Sequence, residues 1–289
     1  MSAVPDTPVM RHATRQQTEP YMRADPRVGN AIPSPAKGGD FILLEPYLPE
    51  KDARQTWSLV EAAQIVRERT AARGSCCILD LGCGAGQSYE PLTGNDPRVE
   101  WIGLDIGDSM EVRNRAKLRQ ALCTYDGVSI PMKSDCFDVV YSHQVFEHVR
   151  YPEKILSEAF RILRPDGFLI GSASHLEPFH SRSYWNFTPY GFSILLEAAG
   201  FKNISVRPGI DGFTLMGRRL FSHLKMSWFF ESFFTKASPL NAAIELLRIF
   251  GVQEVRRNAL KLTFCGHFIF QATKPSGQAA RAEWESAHG

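Results

Sequence analysis

The chain has 289 residues, of which 44% are hydrophobic and 22% charged, with a formal net charge of +2. That balance suits a packed core and lacks the basic excess of a polyanion binder, so nucleic acid is not expected as a partner. No apolar run approaches the roughly 18 residues of a membrane span, and the six cysteines form no C-x-x-C pair; a cytoplasmic protein with reduced thiols is expected.

Residues 1–38 mix Pro5, Pro8, Pro20, Pro26, Pro33 and Pro35 with scattered charges and show no apolar period, which predicts a mobile arm. A single α/β domain is expected over 39–275, followed by a polar tail at 276–289. Leu59, Ala62, Ala63, Ile65 and Val66 predict a helix over 57–73, closed by Gly74. Apolar runs at 77–81, 99–104, 121–125, 137–142 and 168–173 predict strands, and 151–163 has helical spacing between the last two. This alternation predicts crossover units on a parallel sheet. Thr188 and Pro189 open a further helix that Gly200 ends, and runs at 204–206 and 267–272 complete seven strands. Between those last two strands, 213–262 is too long for a plain connection and predicts a helical insertion. Within it Ser238 is read as a cap, Pro239 as the first helical residue and Gly251 as the stop, with Leu240, Ala243, Ile244, Leu247 and Phe250 on one face.

The stretch "DLGCGAG" carries Asp80 at a strand end, then Gly82, Gly84 and Gly86. Bare backbone here lets a ligand approach closely. Dinucleotide sites normally space their glycines G-x-G-x-x-G; the third glycine here arrives one residue early, which disfavours a pyrophosphate. Asp105, at the end of the second strand in "WIGLDIGDSM", is placed to accept hydrogen bonds from two ribose hydroxyls. Downstream follow Asp126-Gly127, "IPM", "FDVVYS", "EHV" and "LRPDGFLIG".

In that order, over about residues 76–201, these motifs resemble the class I S-adenosylmethionine-dependent methyltransferases, particularly the small-molecule group that includes ubiquinone and menaquinone biosynthesis enzymes. The resemblance implies a Rossmann-like α/β fold, a seven-stranded mostly parallel sheet with helices on both faces, and S-adenosylmethionine as cofactor. It assigns cofactor binding to Asp80, Gly82, Cys83, Gly84, Gly86, Asp105, Ile106, Asp126, Gly127, Ser142 and His143. Within that set Asp105 would hold the ribose, Asp126 the adenine amino group and the Gly127 amide a ring nitrogen; the chain around Ser142 and His143 would hold the methionine end.

Methyl transfer from a sulfonium is chiefly a problem of alignment in a water-poor site. A hydroxyl acceptor also calls for a base, and His143 and His148, just past the fourth strand, are the candidates, with His175 at the end of the fifth. The run 144–148, Gln-Val-Phe-Glu-His, is similar to the E-x-x-E-H metal site of some ubiquinone O-methyltransferases and small-RNA methyltransferases. Its first position is glutamine, a poor divalent-metal ligand, so no metal is expected. "SHLEPFHSRSYWNFTPYGF" places His175, His180, Tyr184 and Trp185 on the acceptor side and is similar to the "YWRFTP" segment of bacterial methyltransferases found with glycan or secondary-metabolite biosynthesis.

In the insertion, basic residues outnumber acidic ones eight to three among many phenylalanines. A lid over the acceptor is the favoured reading; peripheral membrane contact through 213–250 and a subunit contact are the others. The expected activity is O-methylation of a sugar, phenol or polyketide-like small molecule. A noncatalytic cofactor-binding module serving a partner enzyme and a nicotinamide-dependent oxidoreductase are the alternatives, and the oligomeric state is left open.

Overall fold

The structure is a computed structural model and describes residues 43–49, 57–109, 112, 121–223 and 238–276. The proposed arm, residues 277–289 of the tail and residues 224–237 of the insertion lie outside the described residues.

The strands are β1 (Cys76–Leu81), β2 (Val99–Ile106), β3 (Ala121–Tyr125), β4 (Phe137–His143), β5 (Leu163–Ser174), β6 (Lys202–Pro208) and β7 (His267–Thr273). They form one sheet in the order β3-β2-β1-β4-β5-β7-β6. β1 to β5 pair in parallel, and β7 runs antiparallel between β5 and β6. The fold is therefore a Rossmann-like, mostly parallel α/β sheet. The order in which the chain adds strands reverses between the parallel neighbours β1 and β4, and the crevice at their carboxyl ends is where such folds bind ligands.

Helices cover both faces, which is why the central strands read as unbroken apolar runs. Successive side chains on a strand point to opposite faces. Ile78, Val139, Tyr141 and Ile170 pack under α1 (Ser58–Arg73) through Ala62, Ala63, Ile65 and Val66. Leu79, Leu81, Val140 and Leu169 face α3 (Pro152–Ile162) and α4 (Pro189–Ala198), where Ile155, Leu156, Phe192 and Leu196 are fully buried. Gly171 shows how tightly the strands approach: a Cβ there would stand 1.8 Å from the Ser142 carbonyl oxygen. A short α2 (Tyr89–Thr93) follows the glycine loop.

β5 begins at Leu163, directly after α3, five residues before the predicted start. Pro165 does block the helix, but the chain enters the sheet at once, with Asp166 at φ 61° and a shift in register against β4.

The insertion is helical where described: α5 (Gly212–His223), α6 (Pro239–Glu245) continued by a 3-10 turn at Leu246–Phe250, and α7 (Glu254–Thr263). Ser238 does not cap α6. Its hydroxyl accepts from the Asp211 amide (3.1 Å) and donates to the Asp211 carboxylate, which also accepts from Thr214 N and Oγ1, each at 2.8 Å. The start of α6 is thereby fastened to the start of α5. Nor does the expected apolar face bury as a unit: the tightening into 3-10 geometry leaves Ile244 buried while Phe250 is 81% exposed.

Candidate functional site

Gly82 leaves β1 at φ 74°, in the left-handed region that favours glycine, and a Cβ there would lie 2.2 Å from Val145 Cγ2. The loop is then sewn to β2: Gly82 and Cys83 amides donate to the Leu104 carbonyl at 2.7 and 3.2 Å, and the Gly86 amide donates to Cys83 O at 2.8 Å. The decisive contact is with Asp105, whose Oδ2 accepts from the Gly84 amide and whose Oδ1 accepts from the Ile106 amide, both at 2.7 Å. This residue is 9% exposed, so a nearly buried carboxylate is held at the rim of the crevice with its orientation set by main chain.

Asp80 lies beneath the loop, with the Ser88 hydroxyl donating to its Oδ2. Burial, opposed by that hydrogen bond and reinforced by the charge of Asp105, pushes its pKa up to about 7. Ile106 and Gly127 adjoin across β2 and β3, a Cβ on Gly127 falling 3.5 Å from Ile106 Cγ2. Asp126 lies beside them on the surface. Its Oδ1 accepts from the Val128 and Ser129 amides at 2.8 and 2.7 Å, and those bonds lower its pKa. That is an Asx turn, and it commits one of the two carboxylate oxygens.

Ser142, at the end of β4, is fully buried, and its Oγ has no hydrogen-bond partner among the described residues. His143, the last residue of β4, is exposed. Its Nδ1 sits between Ser58 Oγ (3.0 Å) and Ser172 Oγ (2.7 Å), and packing, with His267 nearby, lowers its pKa. The residues present fit a sulfonium nucleoside: a glycine cradle that a Cβ would fill, a carboxylate suited to ribose hydroxyls, and an orphaned hydroxyl at the strand end. Asp138, in the same "FDVVYS" motif, belongs to the opposite edge of the sheet. It accepts from the Cys77 amide (2.9 Å), Arg73 (3.1 Å) and Arg164 (2.6 Å), and so serves the fold.

The other wall is built by the turn after β4 and the segment after β5. Tyr184 and Trp185 amides both donate to the Glu147 carbonyl, at 2.7 and 3.2 Å, and Trp185 Nε1 donates to Val149 O at 2.8 Å. This docking brings His148 against His180, edge to face with ring centres 5.1 Å apart, and leaves Tyr184 and Trp185 59% and 45% exposed. His175 stands apart: its Nδ1 lies 3.0 Å from the Phe187 carbonyl, it also bonds the Thr263 backbone, and burial lowers its pKa. Its side chain fastens the loop to α7.

Two residues organise this wall: Glu147, which the sequence reading weighed only as part of the 144–148 metal-like run, and Glu177, to which it gave no role. Glu147 is fully buried, with Oε1 3.0 Å from Ser174 Oγ and Oε2 unpartnered among the described residues. Burial pushes its pKa up to about 7. Glu177 is 4% exposed and close to the same hydroxyl; burial opposes its ionisation, but His267, Arg219 and Ser174 outweigh it and hold its pKa at about 2. One hydroxyl has one proton to give. Three acceptors, Glu147 Oε1, Gln144 Oε1 and Glu177 Oε2, compete for the Ser174 proton.

One donor atom each of Glu147, His148 and His180 lies within 4.8 Å of the others, the one such metal-competent set found among the described residues. Its chemistry suits an imidazole-accepting divalent ion. Gln144, at φ 54°, has its amide turned to Ser172 (3.1 Å) and Ser174 (3.0 Å).

Residues 79–171 match a family described as a methyltransferase domain. The chain is similar to a probable S-adenosylmethionine-dependent methyltransferase of Mycolicibacterium smegmatis, 31% identical over 154 residues, covering 48% of this chain and 57% of that protein. It is also similar to a ubiquinone biosynthesis O-methyltransferase of Nitrosococcus oceani, 31% identical over 107 residues, covering 35% of this chain and 44% of that protein. The chain thus spans about half the length of these curated relatives. Among solved structures it is similar to phosphoethanolamine N-methyltransferase 2 of Haemonchus contortus in complex with S-adenosyl-L-methionine, with 19% identity, a TM-score of 0.47, and coverage of 75% of this chain and 53% of that one. The matched stretch runs from β1 to β5 and contains the glycine loop, Asp105, Asp126-Gly127 and the 144–148 turn. Residues 79–171 are thus similar to a methyltransferase domain, and the relatives that share this stretch include S-adenosylmethionine-dependent enzymes.

Proposed function

We propose that the chain transfers a methyl group from S-adenosylmethionine to an oxygen of a small-molecule acceptor, of sugar, phenol or polyketide type. The observation that carries this reading is the Asp105 carboxylate, fixed by the Gly84 and Ile106 amides over the glycine loop at the β1–β4 crevice. The bound cofactor supplies an electrophilic methyl group on a sulfonium. Asp105 would hold the ribose hydroxyls, Asp126 Oδ2 and the Gly127 amide the adenine, and the backbone around Ser142 and His143 the methionine end.

The acceptor would lie against His148, His180, Tyr184 and Trp185, where aromatic faces and a few polar atoms suit a partly apolar hydroxylated molecule. Oxygen is favoured by the names of relatives, which include the ubiquinone biosynthesis enzyme and malonyl-(acyl-carrier protein) O-methyltransferases. The insertion is assigned as a lid, an assignment supported by the 2.6 Å ion pair of Arg219 on α5 with Glu177.

The test is incubation of the full chain with methyl-labelled cofactor and a panel of phenols, sugars and polyketides. Label recovered on oxygen is the expected result. Label on nitrogen or carbon would overturn the oxygen assignment, and saturable binding of S-adenosylhomocysteine with no transfer to any acceptor would leave a binding module instead.

A further inference from the structure

His180 occupies an unusual position on the acceptor wall. Its side chain is 17% exposed, among Phe179, Tyr184 and Trp185, which are 82%, 59% and 45% exposed. Its Nδ1 lies 3.2 Å from the Pro178 carbonyl and 3.5 Å from Glu177 Oε1. Both neighbours are acceptors only, so Nδ1 carries the proton, and in the neutral ring Nε2 is left with a free lone pair. The orienting carboxylate is itself held at both oxygens. Oε1 also takes Arg219 Nη2 at 2.6 Å, and Oε2 takes His267 Nε2 at 2.8 Å together with the Ser174 hydroxyl. The Asn186 side chain donates to the Glu177 carbonyl at 3.0 Å, which fixes the main chain as well.

His143 and His175 are differently placed. His143 has its Nδ1 between two hydroxyls that can each donate or accept, and His175 is spent on backbone carbonyls. His180 combines an acceptor-side position with a backbone carbonyl that fixes its protonated nitrogen and a buried anion 3.5 Å from that nitrogen, which offsets the imidazolium charge that forms.

We propose that His180 accepts the proton of the acceptor hydroxyl, with Glu177 as its positioning residue and Arg219 of the insertion as the group that locks Glu177 in place. The inference rests on the methyltransferase reading above. The acceptor oxygen forms its bond to the methyl carbon as the carbon–sulfur pair returns to sulfur, and the hydroxyl proton passes to Nε2, later to be lost to water. The insertion then contributes more than a cover, because its Arg219 reaches the residue that orients the base.

The experiment combines a measurement that needs neither cofactor nor acceptor with one that needs both. In the full chain labelled with 15N-histidine, with His180 assigned by loss of its signals in His180→Gln, the neutral ring is expected to show protonated Nδ1 and bare Nε2. A neutral ring protonated at Nε2 overturns the proposal. In turnover, His180→Gln is expected to lower kcat at least 100-fold while the S-adenosylhomocysteine Kd stays within twofold of wild type. Arg219→Met should lower kcat about tenfold and Arg219→Lys should recover most of it, an ordering that loss of packing alone does not produce. Unchanged kcat in His180→Gln, or activity abolished by a chelator and restored by a divalent cation, would remove His180 as the proton acceptor. A wild-type chain that transfers no methyl group to any acceptor defeats the methyltransferase reading instead, and the tautomer then decides the histidine geometry by itself.

Discussion

On the β1–β2 side of the crevice the geometry is set by main chain: Gly82, Cys83, Gly84 and Ile106 amides place one another and the Asp105 carboxylate, all within a stretch of 25 residues of β1, its loop and β2. On the β4–β5 side the geometry is set by side chains brought from far apart. Ser174 meets Glu147 across 27 positions, Arg219 meets Glu177 across 42 and His267 meets it across 90. A ligand part common to a whole family can be held by backbone, whose geometry survives changes of side chain. A wall that must suit one acceptor is made of replaceable side chains on a buried polar frame, and such frames are costly when only partly satisfied.

The contrast can be broken first at Gly82. Gly82→Ala combines a left-handed φ with a Cβ 2.2 Å from Val145 Cγ2, so calorimetric titration with S-adenosylhomocysteine should show affinity falling about 100-fold or more, near 3 kcal/mol. Adding Val145→Ala relieves the contact but not the backbone strain, and should recover only part of the loss.

The next effect is one of pH. Asp80, with its pKa raised to about 7, binds a proton in the folded chain at pH values where the unfolded chain has already lost it. Its contribution to stability is therefore present at acid pH and falls as pH rises from the ordinary carboxylate range to about 7, then levels off. The loss is on the order of 4 kcal/mol. Urea denaturation of Asp80→Asn across that window should give a flatter profile than wild type; an equally steep one would show that Asp80 is not the group responsible.

A smaller effect belongs to the far side. Ser238→Ala removes both hydroxyl contacts with Asp211 and should cost about 1 kcal/mol, with faster amide exchange confined to α5 and α6. The smallest is expected at Asp126. It is exposed and one of its oxygens serves its own turn, so Asp126→Ala should weaken S-adenosylhomocysteine binding by less than tenfold in the same titration.

The same contrast explains what was legible in the sequence. Strand positions were legible because parallel strands buried on both faces are continuous apolar runs, and the glycine loop because φ and close approach at Gly82 demand glycine itself. Glu177 was not legible: an acid six residues past a glycine in a loop has no local mark, and its importance comes from Arg219, His267 and Ser174, which only the fold brings together. Ser238 was misread for the complementary reason, since a serine before Pro239 is a good local cap, but a buried carboxylate from 27 residues earlier competes for the hydroxyl and wins. Asp138 shows a third case. The motif was visible while the residue's task, anchoring Arg73 and Arg164 at the far end of β4, was not.

The central claim is that the loop and Asp105 together bind a sulfonium nucleoside, and it is tested most directly by titrating wild type and Asp105→Ala with S-adenosylhomocysteine in one calorimetric experiment. Wild type should bind one equivalent per chain, and the variant should bind 10- to 100-fold more weakly, a loss of about 1 to 3 kcal/mol from the charge-assisted hydrogen bonds to the ribose. An unchanged dissociation constant in Asp105→Ala, or binding of NAD by a wild-type chain that ignores S-adenosylhomocysteine, would contradict it.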